Sequence, residues 1–281
     1  MKTDDVLIGA ALAGVAALVA YRARALTRGG AVAAFVVGTA TYGAGQWAFT
    51  AILLAFFVPS VVLSRVGKAR KRGLVDVGKS GPRDALQVLA NGGVATICSL
   101  LFGLTHDPRW SAAFAGAYAA ATADTWATEI GTLARQQPRS ILTLRPVPTG
   151  MSGGITLAGT LAEIAGAVWL GLIAFVCLVF YFAPNVLSSR FGLWPPTRYD
   201  VAFLIAFPIA GIVGGTLDSV LGAAVQELRF CDACGRTCET DPHACGQPAR
   251  LVRGIRGATN DVVNLLATAA GALVAVAIAA A

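Results

Sequence analysis

Charge is what this sequence has least of. Only 13% of its 281 residues are Asp, Glu, Lys or Arg, against 56% hydrophobic, and a mean hydropathy of +0.68 excludes an ordinary soluble domain. Also missing is any G-x-x-x-x-G-K-[ST] segment, which excludes a Walker-type phosphate loop. There is no convincing inverted repeat of the kind a secondary transporter shows. The N-terminus lacks the charge order of a secretory signal peptide. Asp4 and Asp5 precede its apolar run while Arg22, Arg24 and Arg28 follow it, so the segment reads as a retained helix.

What remains is a series of long apolar runs. At about 20 apolar residues per helical span, the chain gives about eight, near 5–21, 30–45, 47–64, 84–105, 110–133, 153–183, 200–228 and 258–280. The second and third could form one broken hairpin. The expected fold class is all-α: a polytopic transmembrane helical bundle forming a single integral membrane domain over 1–281. A small cytosolic loop at 229–257 is inserted between the last two spans. Every Lys and Arg except Lys2, Arg109, Arg190 and Arg198 falls in the loops after spans one, three, five and seven. The positive-inside rule places those loops in the cytoplasm of a cell inner membrane and both termini outside. Anionic lipids and this topology account for the net charge of +7, so no nucleic acid partner is implied.

Against that background the few polar residues within spans stand out. Asp84, Gln87 and Asn91 start the fourth span, Asp124 and Glu129 end the fifth, Asp218 and Gln226 lie late in the seventh, and Asn260, Asp261 and Asn264 open the eighth. All fall in the cytoplasmic half. A charge near the bilayer centre costs roughly 2.5 kcal/mol or more, so four helices carrying acids and amides at one depth point to a cavity open to the cytosol. Asp84, Gln87 and Asn91 form one stripe, and Asn260 and Asn264 are one turn apart. Asp124 and Glu129 are about 140° apart on a regular helix, so they can share a wide cavity but not chelate one ion side by side. For Glu129 and Glu163, pairing with loop arginines as structural glue is an equal alternative to function.

The segment "PTGMSGGITLAGT" leads from a basic loop into the sixth span. Gly150, Gly153 and Gly154 before a helix N-terminus could let backbone N–H groups approach an anion, with Arg145 close upstream. Carboxylates for a divalent ion, a glycine nest and nearby Lys and Arg together suit a phosphate site. A separate feature is "FCDACGRTCETDPHACGQPARLVRG". Its Cys231, Cys234, Cys238, His243 and Cys245 offer five thiolate or imidazole groups, four of which would suit tetrahedral structural zinc. A disulfide framework is the alternative, but a cytosolic loop is reducing. Cys98 and Cys177 are isolated within spans and read as small apolar residues.

The ordered motifs "GPRDALQVLANGG", "ADTWATEIG", "TGMSGG", "GGTLDSVLGAAVQ", a cysteine knuckle and "TNDVVN" resemble a family of integral membrane proteins. That family includes a plant phytyl-phosphate kinase of tocopherol and phytol salvage. The resemblance covers about residues 65 to 275. It implies an all-helical membrane enzyme that phosphorylates an isoprenoid monophosphate to the diphosphate, with CTP as donor. It also implies that Asp84, Asn91, Asp124, Glu129, Asp218, Gln226, Asp261 and Asn264 occupy motif positions. The chain departs from the family where Ser152 replaces a usual Asn, and at Gly257, Ala258 and Thr259 ahead of the Asn260–Asp261 pair.

With this resemblance the expected site takes shape. Asp124 and Asp218 lead as Mg²⁺ ligands, with Asp261 and Glu129 behind them. Lys79, Arg83 and Arg145 hold phosphates, Gly150, Gly153 and Gly154 form the nest, and the prenyl tail stays among the membrane lipids. A cytidylyltransferase forming a CDP-lipid would share most of these features. A secondary transporter would share the buried acids, and a non-catalytic lipid-binding scaffold the hydrophobicity and the zinc loop.

Overall fold

The computed structural model describes residues 2–67, 81–187 and 198–280. Lys68, Arg70, Lys71, Arg72, Lys79 and Arg190 lie outside the described residues. Within them are seven helices: α1 (Thr3–Arg22), α2 (Arg28–Arg65), α3 (Ala85–Thr105), α4 (Pro108–Gly131), α5 (Leu157–Leu187), α6 (Arg198–Ala224) and α7 (Asn260–Ala280).

α2 is 38 residues long, well beyond one crossing, and its backbone breaks at Gln46 (φ 50°, ψ −137°). Arg28 Nε donates to Tyr21 Oη at 3.4 Å and Arg65 Nη2 donates to Ala23 O at 2.7 Å, so both ends of α2 meet the C-terminal end of α1. Gln46 Nε2 instead donates to Asp5 Oδ2, at 3.2 Å, at the other end of α1. The chain therefore reverses at Gln46, and α2 is two antiparallel spans, the broken hairpin the sequence allows for.

Six of the helices are long and apolar enough to cross a membrane, and α4 is not among them. Its Ala- and Gly-rich run from Ser111 to Ala123 is buried at every position, because α4 is the central helix, enclosed by α3, α5, α6, α7 and the second half of α2. A helix facing only protein has no need of a lipid-compatible surface. Small residues let its neighbours close in: a Cβ on Gly116 would stand 2.4 Å from Gly271 O on α7, and one on Gly271 would stand 2.6 Å from Gly116 O. Counting α4 and both halves of α2 separately, the described residues form eight helical segments, the number of spans expected from the sequence.

The two ends of the bundle differ in chemistry. One, the end of Asp5, Gln46 and His106, is filled with aromatics: the Phe49 ring lies 4.4 Å from Phe114 and 5.0 Å from Phe102, centroid to centroid. The other end carries Arg65, Arg83 and the connecting loops. Here Thr27 N donates to Arg83 O at 3.0 Å and Arg83 N to Ala25 O at 2.9 Å, which ties the entry of α3 to the α1–α2 turn.

The loops at this end contain short strands that the all-α expectation omits. β1 (Arg139–Ser140) pairs with β2 (Gly154–Ile155), while β3 (Leu228–Cys231), β4 (Arg236–Cys238) and β5 (Arg250–Arg253) form an antiparallel sheet in the order β4-β3-β5. The seventh span stops at Ala224 rather than continuing to 228. Val225 N and Gln226 N both donate to Leu221 O, at 2.8 and 3.1 Å, and Glu227 N donates to Ala258 O at 2.9 Å. Gln226 thus sits just past the helix, where the chain turns to run beside the approach to α7.

Candidate functional site

Asp124 lies two turns before the end of α4, and Asp218 nearly two turns before the end of α6. Their carboxyl groups are in hydrogen-bond contact with each other, and Thr128, one turn after Asp124, also hydrogen-bonds Asp124. Two carboxylates in contact repel unless a proton or a cation stands between them. From α7, the Asn264 amide, oriented with its nitrogen toward the two oxygens it faces, donates to Asp218 Oδ2 at 2.8 Å and to Asn260 O at 3.3 Å. This brings the first turn of α7, with Asn260 and the half-buried Asp261, to the same end of the bundle.

Glu163 on α5 completes the group. It is buried, it accepts from Thr216 Oγ1 at 3.0 Å, and it lies within electrostatic reach of both Asp124 and Asp218. Gly215 makes room for it, since a Cβ there would stand 2.8 Å from Glu163 Oε1. Opposite the acids is Arg83. Its half-buried guanidinium lies 5.8 Å from the centroid of Phe56 and faces Glu129 first and Asp124 second. The arginine that could serve as glue for Glu129 is therefore the one expected to hold phosphate.

Other expected residues have defined local roles. Asp84 and Gln87 form a capping box on α3: Gln87 N donates to Asp84 Oδ1 at 2.9 Å, and Asp84 N to Gln87 Oε1 at 3.0 Å. Asn91 Nδ2 donates to Gln87 O at 2.9 Å. Arg145 is exposed beyond β1. In the glycine segment, Gly154 N donates to Met151 O at 2.9 Å, and a Cβ on Gly153 (φ +78°) would stand 2.4 Å from Ala223 Cβ. Gly150 also has a positive φ, of 89°. A surface pocket of about 350 Å³ opens beside this segment, lined among others by Arg135, Gln136, Val147, Pro148 and Thr149, and the acids are not in its lining.

Ser152 links the segment to the cysteine-rich loop. Gln226 Nε2 donates to Ser152 Oγ at 2.8 Å, and Ser152 Oγ makes a short hydrogen bond to Glu239 Oε1. Glu239 follows Cys238 at the end of β4 and lies within electrostatic reach of Asp218 and Arg253. Burial pushes its carboxyl above the ordinary carboxylate range, against the pull of the Ser152 hydrogen bond.

At the far tip of the same loop, one ligand atom from each of Cys231, Cys234, His243 and Cys245 lies within 4.8 Å of the others. Cys231 Sγ is 3.7 Å from Cys245 Sγ, and His243 Nδ1 is 3.0 Å from Cys245 Sγ. Three thiols and an imidazole in this cluster could hold a metal ion, and the donor set suits zinc. The fifth candidate, Cys238, turns away: it pairs with Arg229 across the sheet and its thiol donates to Thr240 O at 3.5 Å.

Sequence reasoning thus located Asp124, Asp218, Asn264 and Arg83, which the fold brings together. It placed no weight on Glu239, Thr128 or Thr216, and left Glu163 undecided. The available signal for Glu163 was its own rule, an acid within an apolar span. Glu239 had none, because it comes from a loop.

Six helices fit to cross a membrane and an acid-lined polar end define the class: a polytopic integral membrane protein with acids gathered at one end of its bundle. The chain belongs to the integral membrane family DUF92, matched over residues 11–272, as its motifs imply. It is similar to Protein PGR of Arabidopsis thaliana, at 33% identity over 84% of this chain and 82% of that protein. An uncharacterised membrane protein of Methanocaldococcus jannaschii is 30% identical over 75% of this chain and 79% of that protein. Protein VTE6, chloroplastic, of Arabidopsis thaliana is 24% identical over 89% of this chain and 64% of that protein. No solved structure matches the chain.

Proposed function

We propose that this protein is a membrane phosphotransferase. It moves the γ-phosphoryl group of a nucleoside triphosphate, CTP by preference, to an isoprenoid monophosphate such as phytyl or geranylgeranyl phosphate and releases the diphosphate. The observation that carries the reading is the contact between Asp124 and Asp218, with Glu163 beside them and Arg83 facing them. Acids gathered from three helices beside an arginine, inside a membrane bundle, suit paired phosphates better than a plain bundle core. The motif resemblance to the family of the plant phytyl-phosphate kinase supplies the reaction class.

The residues fit a hard divalent cation, since Asp124, Asp218 and Glu163 offer carboxylate oxygens and no soft ligand stands among them. Asp124 and Asp218, with Glu163, Asp261 and Glu129 around them, would hold Mg²⁺, which when bound neutralises phosphate charge. Arg83 offers a guanidinium to the transferred group and to the acceptor phosphate. The acceptor is a phosphate monoester, so its own anionic oxygen attacks the γ-phosphorus while the bond to the β-phosphate oxygen breaks. No strong general base is required. Catalysis then rests on aligning two polyanions and offsetting their charge.

In this reading Asn91, Asn260 and Asn264 line the phosphate and base side, and the segment around Gly150, Ser152, Gly153 and Gly154 covers it. Lys79 and Arg145 belong to the approach from the aqueous side. The site faces the cytoplasm of the inner membrane, both termini face outside, and the prenyl chain stays in the bilayer. The four-residue cluster Cys231, Cys234, His243 and Cys245 holds structural zinc.

The deciding experiment is product identification. Detergent-solubilised protein is incubated with Mg²⁺, CTP or ATP, and phytyl or geranylgeranyl monophosphate. Prenyl diphosphate together with CDP or ADP supports the proposal. Pyrophosphate with a CDP-lipid would replace it by the cytidylyltransferase reading, and no product with any nucleotide would reject both.

A further inference from the structure

The cysteine-rich loop does more than close on itself, because the two ends of its β3–β4 hairpin have different surroundings. At the tip, Cys231 and Cys234 flank the turn, where Gly235 N donates to Cys231 O at 2.9 Å, and His243 and Cys245 come back to meet them. At the base, Glu239 leaves β4 and reaches across the site end of the bundle to Ser152, which also accepts from Gln226. The glycine segment is therefore held from two sides. On one side Gly153 and Gly222 are in backbone contact, a Cβ on Gly222 standing 3.0 Å from Gly153 N. On the other stand the Gln226 amide and the Glu239 carboxylate, the latter brought from 87 residues away, while β1 pairs with Gly154.

The base of the hairpin is itself anchored. Arg229 binds Glu227 Oε2 at 2.9 Å and Asp241 Oδ2 at 3.0 Å, and Gly257 N donates to Glu227 Oε2 at 3.2 Å, joining the sheet to the approach of α7. A metal at the tip would fix the β3–β4 turn and the His243–Cys245 return together, and so fix the path on which Glu239 lies. The Sγ and Nδ1 contacts of the cluster tie the 243–245 return to the tip of β3, while Arg229 holds Asp241 and Ala249 on either side of that return.

We propose that Glu239 is a positioning residue for the reaction site. The metal-binding hairpin presents its carboxylate to Ser152, clamps the segment 150–154 over the Asp218 side of the site, and makes the order of that segment depend on the metal cluster 231–245. The inference rests on the proposed phosphotransfer only for its consequence in turnover. The clamp itself is a matter of structure and is tested without substrate. It also gives the departure at Ser152 a partner: a serine hydroxyl donates to a carboxylate, and Glu239 supplies one.

The test places a reporter next to the clamp. In Met151→Cys protein carrying its native metal, the rate of maleimide labelling at position 151 is read by peptide mass spectrometry, which separates it from the native cysteines. We expect slow labelling in the metal-loaded protein. Stripping the metal with a chelator should speed labelling by about tenfold or more, as loss of a supporting hydrogen-bond partner opens a local segment. Glu239→Ala should do the same while the metal content, measured on the same sample, stays unchanged. Glu239→Gln keeps an acceptor for Ser152 and should restore slow labelling. Should Glu239→Ala fail to fold, Ser152→Ala removes the same bond from its other end and should likewise speed labelling.

In protein that catalyses transfer, Glu239→Ala should also raise the nucleotide KM by about tenfold or more with a smaller change in kcat, and Glu239→Gln should reverse this. Unchanged labelling in metal-retaining Glu239→Ala or in Ser152→Ala overturns the clamp. Unchanged labelling after stripping overturns its dependence on the metal. A protein without transfer activity still answers both questions, so failure of the reaction reading is distinguished from failure of this one.

Discussion

Asp124 and Asp218 were legible in the sequence for one reason: an acid in an apolar span has no cheap explanation. Their partnership was not, because residues 94 positions apart carry no periodic signal, and only packing of α4 against α6 puts the carboxyls in contact. The contact sharpens what each contributes. Asp124→Asn or Asp218→Asn keeps side-chain shape but removes a charge that faces phosphate in the proposed reaction, so each is expected to fold and to lose about a hundredfold or more in turnover. Glu129→Gln should lose less, since Glu129 stands beside Asp124 and also faces Arg83, outside the direct contact of the acid pair. Wild-type turnover in both Asp variants, with phytyl phosphate and CTP, removes the metal assignment. Glu163 sits beside the pair and is held by Thr216, so Glu163→Gln is expected to raise the Mg²⁺ concentration for half-maximal activity by about tenfold while saturating Mg²⁺ restores most of kcat. A Mg²⁺ titration identical to wild type would make Glu163 purely structural.

Elements were legible where they face lipid and less so where they face protein or end in loops. The 20-residue ruler finds α1, α3, α5, α6 and α7 within a few residues, because their outer faces must suit hydrocarbon. It also reaches α4, but for a different physical reason: the run is Ala and Gly because five neighbouring segments leave it no volume. That reason is testable. In Gly116→Ala the new Cβ meets backbone, Gly271 O at 2.4 Å, and the expected cost is about 1–3 kcal/mol, read as a lower thermal midpoint in detergent. Gly93→Ala on α3, where nothing lies within 4 Å, is the control and should leave the midpoint unchanged or raise it. Equal effects would mean that the α4–α7 approach is looser than described.

The cysteine loop shows the limit of pattern reading. Five ligand candidates within fifteen residues announced a metal cluster, but only the register Arg229↔Cys238 decides which one is spare. Metal analysis of purified protein is expected to find about one zinc per chain, retained in Cys238→Ser and lost in a Cys231→Ser, Cys234→Ser double variant. Loss in Cys238→Ser with retention in the double variant would reverse the assignment.

For the whole molecule, orientation follows from where the charges are, and the fold makes that argument more demanding. Both ends of α2, the entry of α3, the end of α4 and the cysteine loop gather at one end of the bundle, so they must all lie on one side of the membrane. Asp5, Gln46 and His106 belong to the other. The basic residues Arg22, Arg24, Arg65, Arg83, Arg135 and Arg139 all fall at the first end, which in the orientation we propose from the positive-inside rule faces the cytoplasm, where nucleoside triphosphates are. Single cysteines introduced at Arg24 and Thr143 should therefore be labelled by a membrane-impermeant maleimide only after the cells are permeabilised. One at Thr105 should be labelled in intact cells, each site being read by peptide mass spectrometry to set aside the native thiols. Because these ends are joined by hydrogen bonds within one bundle, the labels must agree as a set. Labelling at Arg24 or Thr143 in intact cells would place Asp124, Asp218 and Arg83 on the outer face, away from any cytoplasmic nucleotide, and would end the phosphotransfer proposal whatever the mutants do.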